Sequence, residues 1–399
     1  MRTRFLWALL LVVPVAAGCE RVDHSGDFPQ QAEVPEIALE DIARILSEIP
    51  IGAQQMEEVH DAVDASSGNG YDEEYTMRDL FSDPGAGVGD SQAKAAGIYT
   101  KAPKHYERPL KDLIAEQVRL RATKAGDISP EAYLAALQAS DIQIYWPYSE
   151  QWDGTSWPVI TFDPLDGASR NVGYRLVEGV DGSRTVEELI VDEALAMEAP
   201  VWVVNRNDDS LYPTLEMRRR LDPHWGEGGG SLIVNKADDQ PFKTLILKDF
   251  KALRNFDSWF SGASEVVIRC GCVEHFVSST EAELLLYNPS VTDFMVVVKR
   301  GEVGTVKPFG AVLVSQWTDQ LGTCAFMVTE DDGGTRTSWK CSAEVKIKSK
   351  SYGFDISLPF NSRDDIIWRG QLSSKYFEKY SSDTGHFGDV ELTFEIVER

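Results

Sequence analysis

The chain has 399 residues, 43% hydrophobic and 26% charged, a globular composition with length for more than one core. It sets 64 acidic against 39 basic residues, a formal net charge of -25. That balance leaves little basic surface for phosphate, which excludes nucleic acid as a partner and argues against anionic lipid head groups.

In chain order, Arg2 and Arg4 precede an apolar run from Phe5 to Ala17, and the small residues Ala16, Ala17 and Gly18 lead into Cys19. The run is too short for a membrane span and reads as the apolar region of a secretion signal, residues 1–18. Val15-Ala16-Ala17-Gly18-Cys19 resembles the lipobox of bacterial lipoproteins. The resemblance implies acylation of Cys19, removal of the preceding peptide and a membrane partner held through that lipid. The layout is also similar to uncharacterised Gram-negative envelope lipoproteins, and Glu20 in place of an aspartate implies the outer membrane. Residues 19–34 are polar and aperiodic, a tether.

Residues 35–140 predict a helical region. Leu39, Ile42, Ile45, Leu46 and Ile49 share a helix face that stops at Pro50, and Met56, Val59 and Val63 continue in a second helix. Asp72, Glu73 and Glu74 suit the positive N-terminus of a third, through Met77, Leu80 and Phe81. Leu110, Leu113, Ile114 and Val118 predict a fourth, and Ser129-Pro130 starts a fifth as cap and first helical residue.

At Asp141 the period changes to two, predicting a tryptophan-rich β domain with a glycine-rich connection over 141–237. Trp146, Trp152, Trp157 and Trp202 offer flat faces on which a glycan could stack, although alternating aromatics in a sheet more commonly form core. Glu150, Asp153, Asp163 and Asp166 beside them offer a carboxylate pair for a hydrolase, although Asp163-Pro164 and Asp166-Gly167 are ordinary turn sequence. Pro223 to Ser231 lacks the spacing of a phosphate-binding loop and reads as linker.

Residues 238–399 predict an antiparallel β-sandwich, with strand candidates from Thr244–Lys248 to Glu391–Val397. The fold class is therefore α+β: a small helical region, a β-rich domain and a C-terminal sandwich. If Asp332-Gly333 were a two-residue hairpin turn, Cys324 would face Cys341 in a pair able to close a disulfide. Cys270 and Cys272 point to one side of a strand, with their pairing left open. Asp257, Glu265, Asp331, Asp332, Asp364 and Asp365 predict oxygen ligands for calcium at one edge, against the alternative of solvated turn acids. No cofactor motif and no nucleophile elbow occur, and the six histidines are scattered. The function expected is a lipid-anchored envelope module, structural or binding a protein or glycan.

Overall fold

The computed structural model describes residues 37–82, 105–125, 129–179, 182–207, 214–221 and 243–398. The lipobox with Cys19, the tether and the glycine-rich connection lie outside the described residues.

The three-and-four spacing of apolar residues produces α1 (Leu39–Glu48), which buries Leu39, Ile42, Ile45 and Leu46. α2 (Ala53–Gly68) buries Met56, Val59 and Val63. After β1 (Glu74–Thr76), α3 (Met77–Phe81) starts where the Thr76 side chain accepts the Asp79 N–H. Asp72 and Glu73 therefore do not serve that helix terminus as expected; with Glu74 in the strand, all three are buried before it begins. α4 (Leu110–Ala125) is followed by α5 (Pro130–Ala139), whose Ser129 cap accepts the Ala132 N–H as expected.

β2 (Ile142–Tyr145), β3 (Val159–Phe162), β4 (Arg170–Glu178), β5 (Arg184–Asp192), the short α6 (Glu193–Glu198) and β6 (Val201–Arg206) follow, then α7 (Leu215–Leu221). The sheet order is β1-β2-β6-β3-β4-β5, with β3 parallel to β6. Gly154, Gly167 and Gly182, each preceded by an aspartate in the sequence, take the positive φ that tight turns require. Period-two alternation gives the sheet two faces. Ile142, Ile144, Trp202 and Val204 pack on the helices, while Tyr145, Val201 and Val203 pack on Trp259 and Phe260. The change of period at Asp141 is thus a change of element within one core.

The C-terminal half contains β7 (Lys243–Ala252), β8 (Ser264–Cys272), β9 (Ser290–Val298), β10 (Lys307–Trp317), β11 (Leu321–Glu330), β12 (Arg336–Ile347), β13 (Lys350–Asn361), β14 (Asp365–Ser373), α8 (Ser374–Lys379), β15 (Thr384–Phe387) and β16 (Val390–Glu398). A four-stranded sheet, β10-β7-β16-β15, faces a larger one, β13-β12-β11-β8-β9, in which β14 also pairs with β11. Leu245, Leu247, Ile268, Phe326, Val328 and Phe394 fill the space between, each contributing about 1.5–3 kcal/mol of burial. The α+β class with a sandwich-like C-terminal region holds. β8 is buried on both faces: Ile268 and Cys270 face the sandwich core, and Val267 faces a smaller cluster that includes Tyr71. Residues 36–399 form one compact unit.

The expected Cys324–Cys341 disulfide is not formed. β14 runs along β11 from Thr323 to Glu330, so β12 meets β11 only at Leu321 and Thr323, after a register shift. Gly333 and Gly334 both take positive φ, and the connection is wider than a two-residue hairpin. Cys324 lies in the core with Cys270 and Cys272, while Cys341 sits opposite Ile356 with Sγ 3.6 Å from its carbonyl. These four cysteines are free thiols.

Candidate functional site

A cavity of about 530 Å³ opens between the first sheet and the sandwich. Its walls come from the turn after α2, the end of β2, the start of α7, the β9–β10 connection and the start of β10. Local chemistry fixes that first wall. Gly70 takes φ +81°, a conformation that favours glycine, and a Cβ there would lie 2.1 Å from a Glu216 carboxylate oxygen, which would have to swing away. The Thr214 hydroxyl donates to the Asn69 carbonyl at 2.5 Å and accepts the Met217 N–H, pinning that approach.

Asp72 is fully buried, and its carboxylate accepts the N–H groups of Glu73 at 2.7 Å and Ala263 at 2.9 Å. Burial pushes its pKa up despite those bonds. Glu73 is pushed up to about 8, first by burial and then by the charge of Asp72, with a hydrogen bond to Glu150 adding to the rise. Lys299 lies 3.1 Å from Glu73. Burial opposes the lysine's charge, but Glu73, Asp72 and Glu150 outweigh it and its pKa is raised. Arg300 donates to Glu193 at 2.7 Å and to the Asp257 carbonyl at 3.0 Å. Lys307 pairs with Glu302 and donates to the Val297 carbonyl at 2.8 Å.

Two tyrosines complete the wall. Tyr148 is held at φ +59°, unusual for a bulky residue, and donates to Glu193 at 2.9 Å. Tyr145 has 0% of its surface exposed, and its hydroxyl has no hydrogen-bond partner although it lines the cavity. A buried hydroxyl without a partner costs about 1–3 kcal/mol, a liability that the Tyr133 hydroxyl and the Trp202 indole N–H share.

Three of the four expected glycan-stacking residues come together, but in the core: Trp146 lies 5.5 Å from Trp152 and 5.9 Å from Trp202, ring centre to ring centre. Trp146 and Trp202 are buried in the first core and have no face to offer, which corrects that expectation for both. Trp152 packs edge-on to Trp146 and against His60, and donates to the Ser156 carbonyl. Trp157 alone of the four is largely exposed, at 53%, beside a groove of about 340 Å³ with Tyr174 and Leu176. The expected hydrolase acids scatter. Asp153, Asp163 and Asp166 accept N–H groups within their own turns, and only Glu150 reaches the cavity.

Of the acids expected to bind calcium, Asp257 converges with Asp332 and with Glu330, and one oxygen from each lies within 4.8 Å of the others. This group could hold a metal ion. Glu330 hydrogen-bonds both neighbours; burial nonetheless raises Asp257 to about 6 and raises Asp332. Glu265 is buried in β8, where its carbonyl accepts the Asp331 N–H. Asp364 accepts the Asn361 N–H, and Asp365 sits opposite Glu330 in the β11–β14 ladder; neither belongs to the converging three.

Among the described residues no helix is long and apolar enough to cross a membrane. No family model matches the chain, and no curated protein or solved structure gives a significant match.

Proposed function

We propose that this chain is a lipid-anchored cell-envelope protein whose central cavity binds a small polar ligand. The observation that carries the binding reading is the cavity itself, whose volume lies within the ~300–1,000 Å³ of ligand sites and whose lining includes Tyr145, a residue with a buried hydroxyl that has no partner. The lipobox resemblance supports the anchor, and the outer membrane follows from Glu20 by the same resemblance. A glycosidase is less well supported. Its carboxyl groups stand about 5–9.5 Å apart, whereas Glu73 and Glu150 share a hydrogen bond.

Two experiments test this reading. Cys19→Ser should move the protein from the membrane fraction to the soluble one and remove an acyl mass from its N-terminal peptide; unchanged fractionation contradicts the anchor. A small-molecule thermal-shift screen should yield ligands whose effect is lost in Tyr145→Phe. A screen in which every hit is indifferent to that change contradicts the cavity.

The convergence of Asp257, Glu330 and Asp332 favours a second site, for calcium, since three carboxylates suit a hard cation. Calcium would replace the proton that this hydrogen-bonded group shares. Its stabilising effect should therefore grow as pH rises through about 6, the value to which burial raises Asp257. A melting temperature indifferent to millimolar calcium at pH 7.5 rules it out.

A further inference from the structure

The first sheet ends on an open edge. In the order β1-β2-β6-β3-β4-β5 the last strand has a hydrogen-bonded neighbour on one side only, among the described residues. The Gly179 N–H donates to the Ser183 carbonyl at 2.7 Å, and by the register of the β4–β5 ladder the odd-numbered residues of β5 then bond to β4. Arg184, Val186, Glu188, Ile190 and Asp192 therefore turn their backbone N–H and C=O groups outward. The strand contains no proline, lysine or bulge, which commonly protect such an edge.

The side chains of these five residues stand on the face of the sheet that packs on the helices. There β4 sets Val172 opposite Ile190, Tyr174 opposite Glu188 and Leu176 opposite Val186. Ile190 is 66% exposed and Val186 38%, so apolar surface lies in water beside the unpaired backbone. A second copy of the same strand answers both needs. Run antiparallel about a two-fold axis through Glu188, two copies of β5 pair along all nine residues, and every outward residue meets an outward residue. Arg184 then faces Asp192 and Val186 faces Ile190, each twice. Every other register that matches outward positions is shorter and loses the Arg184–Asp192 match. Glu188 meets its own counterpart on the axis, and each copy brings Arg44 to 3.6 Å from its Glu188.

We propose that β5 is a self-pairing edge through which two copies of this chain join their first sheets into one continuous sheet. Opposite charge at Arg184 and Asp192 and apolar contact at Val186 and Ile190 set the register. Nine residues a side is well below the roughly 20–30 of a standard interface, so the association is reversible, with a dissociation constant on the order of micromolar. No residue of β5 lines the central cavity, so this contact stands or falls apart from the ligand reading.

Sedimentation velocity of the full chain over a concentration series should show a reversible monomer–dimer equilibrium. Ile190→Lys, at a position exposed enough for the fold to accept it, should weaken the dimer at least tenfold, while Leu286→Lys, 77% exposed on the sandwich, leaves it unchanged. Oxidation with copper–phenanthroline then locates the axis. Glu188→Cys should give a covalent dimer above the wild-type level, because Cα atoms in a hydrogen-bonded pair lie about 5.5 Å apart, within disulfide reach. Val186→Cys should not, since four residues of strand, roughly 13 Å, separate the two copies of that position. A chain that stays monomeric up to about 0.1 mM overturns the proposal and leaves the edge to a strand of another protein. A dimer indifferent to Ile190→Lys, or cross-linked through position 186 in place of 188, overturns it as well.

Discussion

Two acidic clusters in this protein solve the same electrostatic problem in different ways. At the cavity, Asp72 and Glu73 are opposed by a base from a distant part of the sequence, because Lys299, the residue following β9, lies 3.1 Å from Glu73. At the sandwich edge, Asp257, Glu330 and Asp332 converge within 4.8 Å and hydrogen-bond among themselves through Glu330. Both clusters hold a carboxyl pKa above its ordinary value; the first sets a lysine against it, whereas the second gathers three carboxyls where a cation can replace the shared proton. Buried carboxylates alone therefore do not indicate a metal; what opposes them decides.

The largest test of that contrast removes a buried charge near the edge cluster. Arg269 has 0% exposure, donates to the Thr329 hydroxyl at 2.7 Å and partly offsets the rise that burial gives the pKa of Asp364. Arg269→Ala should cost about 3–5 kcal/mol in denaturant unfolding. A loss below 1 kcal/mol would mean that the edge acids do not need it.

Next in size is the pH dependence. Glu73 at about 8, Asp364 at about 7 and Asp257 at about 6 all lie above their ordinary values. The native state then binds more protons than the unfolded chain. Their stabilising contribution is full below pH about 4 and is lost as pH rises through those values, at about 1.4 kcal/mol per unit per group. Melting temperature should fall between pH 5 and 8. Glu73→Gln, which keeps the size but cannot ionise beside Asp72, Glu150 and Lys299, should flatten that fall. An unchanged slope would remove Glu73 from the explanation.

A smaller effect separates the clusters by cation. Calcium at pH 7.5 should raise the melting temperature of the wild type by a few degrees and that of Asp332→Asn by less, with Glu73→Gln responding like wild type. Equal responses in all three would place the ion elsewhere. Smallest is Trp157→Ala, expected within about 0.5 kcal/mol because that side chain is 53% exposed. A larger loss would mean that the indole packs in solution.

Local patterns in the sequence carried the elements. The apolar spacing of Leu39 to Ile49 and the Ser129-Pro130 cap both appear in the structure where expected. Pairings across the chain were harder to read. The cysteine register assumed that a hairpin keeps its strands adjacent, and β14 took the edge that β12 would have used. The cavity was also hidden: Glu73, Tyr145 and Lys299 lie in unrelated segments, and no local pattern marks their convergence. Burial of an acidic run such as Asp72 to Glu74 contradicts composition, because Asp and Glu are rarely buried unless paired. Glu330 is the last residue of β11, and nothing in the sequence pattern singles it out as a site.

The most direct measurement is the melting temperature of ligand-free Tyr145→Phe against wild type. The variant deletes a hydroxyl that is buried without a partner in the free protein, so it should melt higher, by the equivalent of about 1–3 kcal/mol. A lower melting temperature would show that the hydroxyl is already satisfied within the fold, and the cavity would lose the feature that marks it for a ligand.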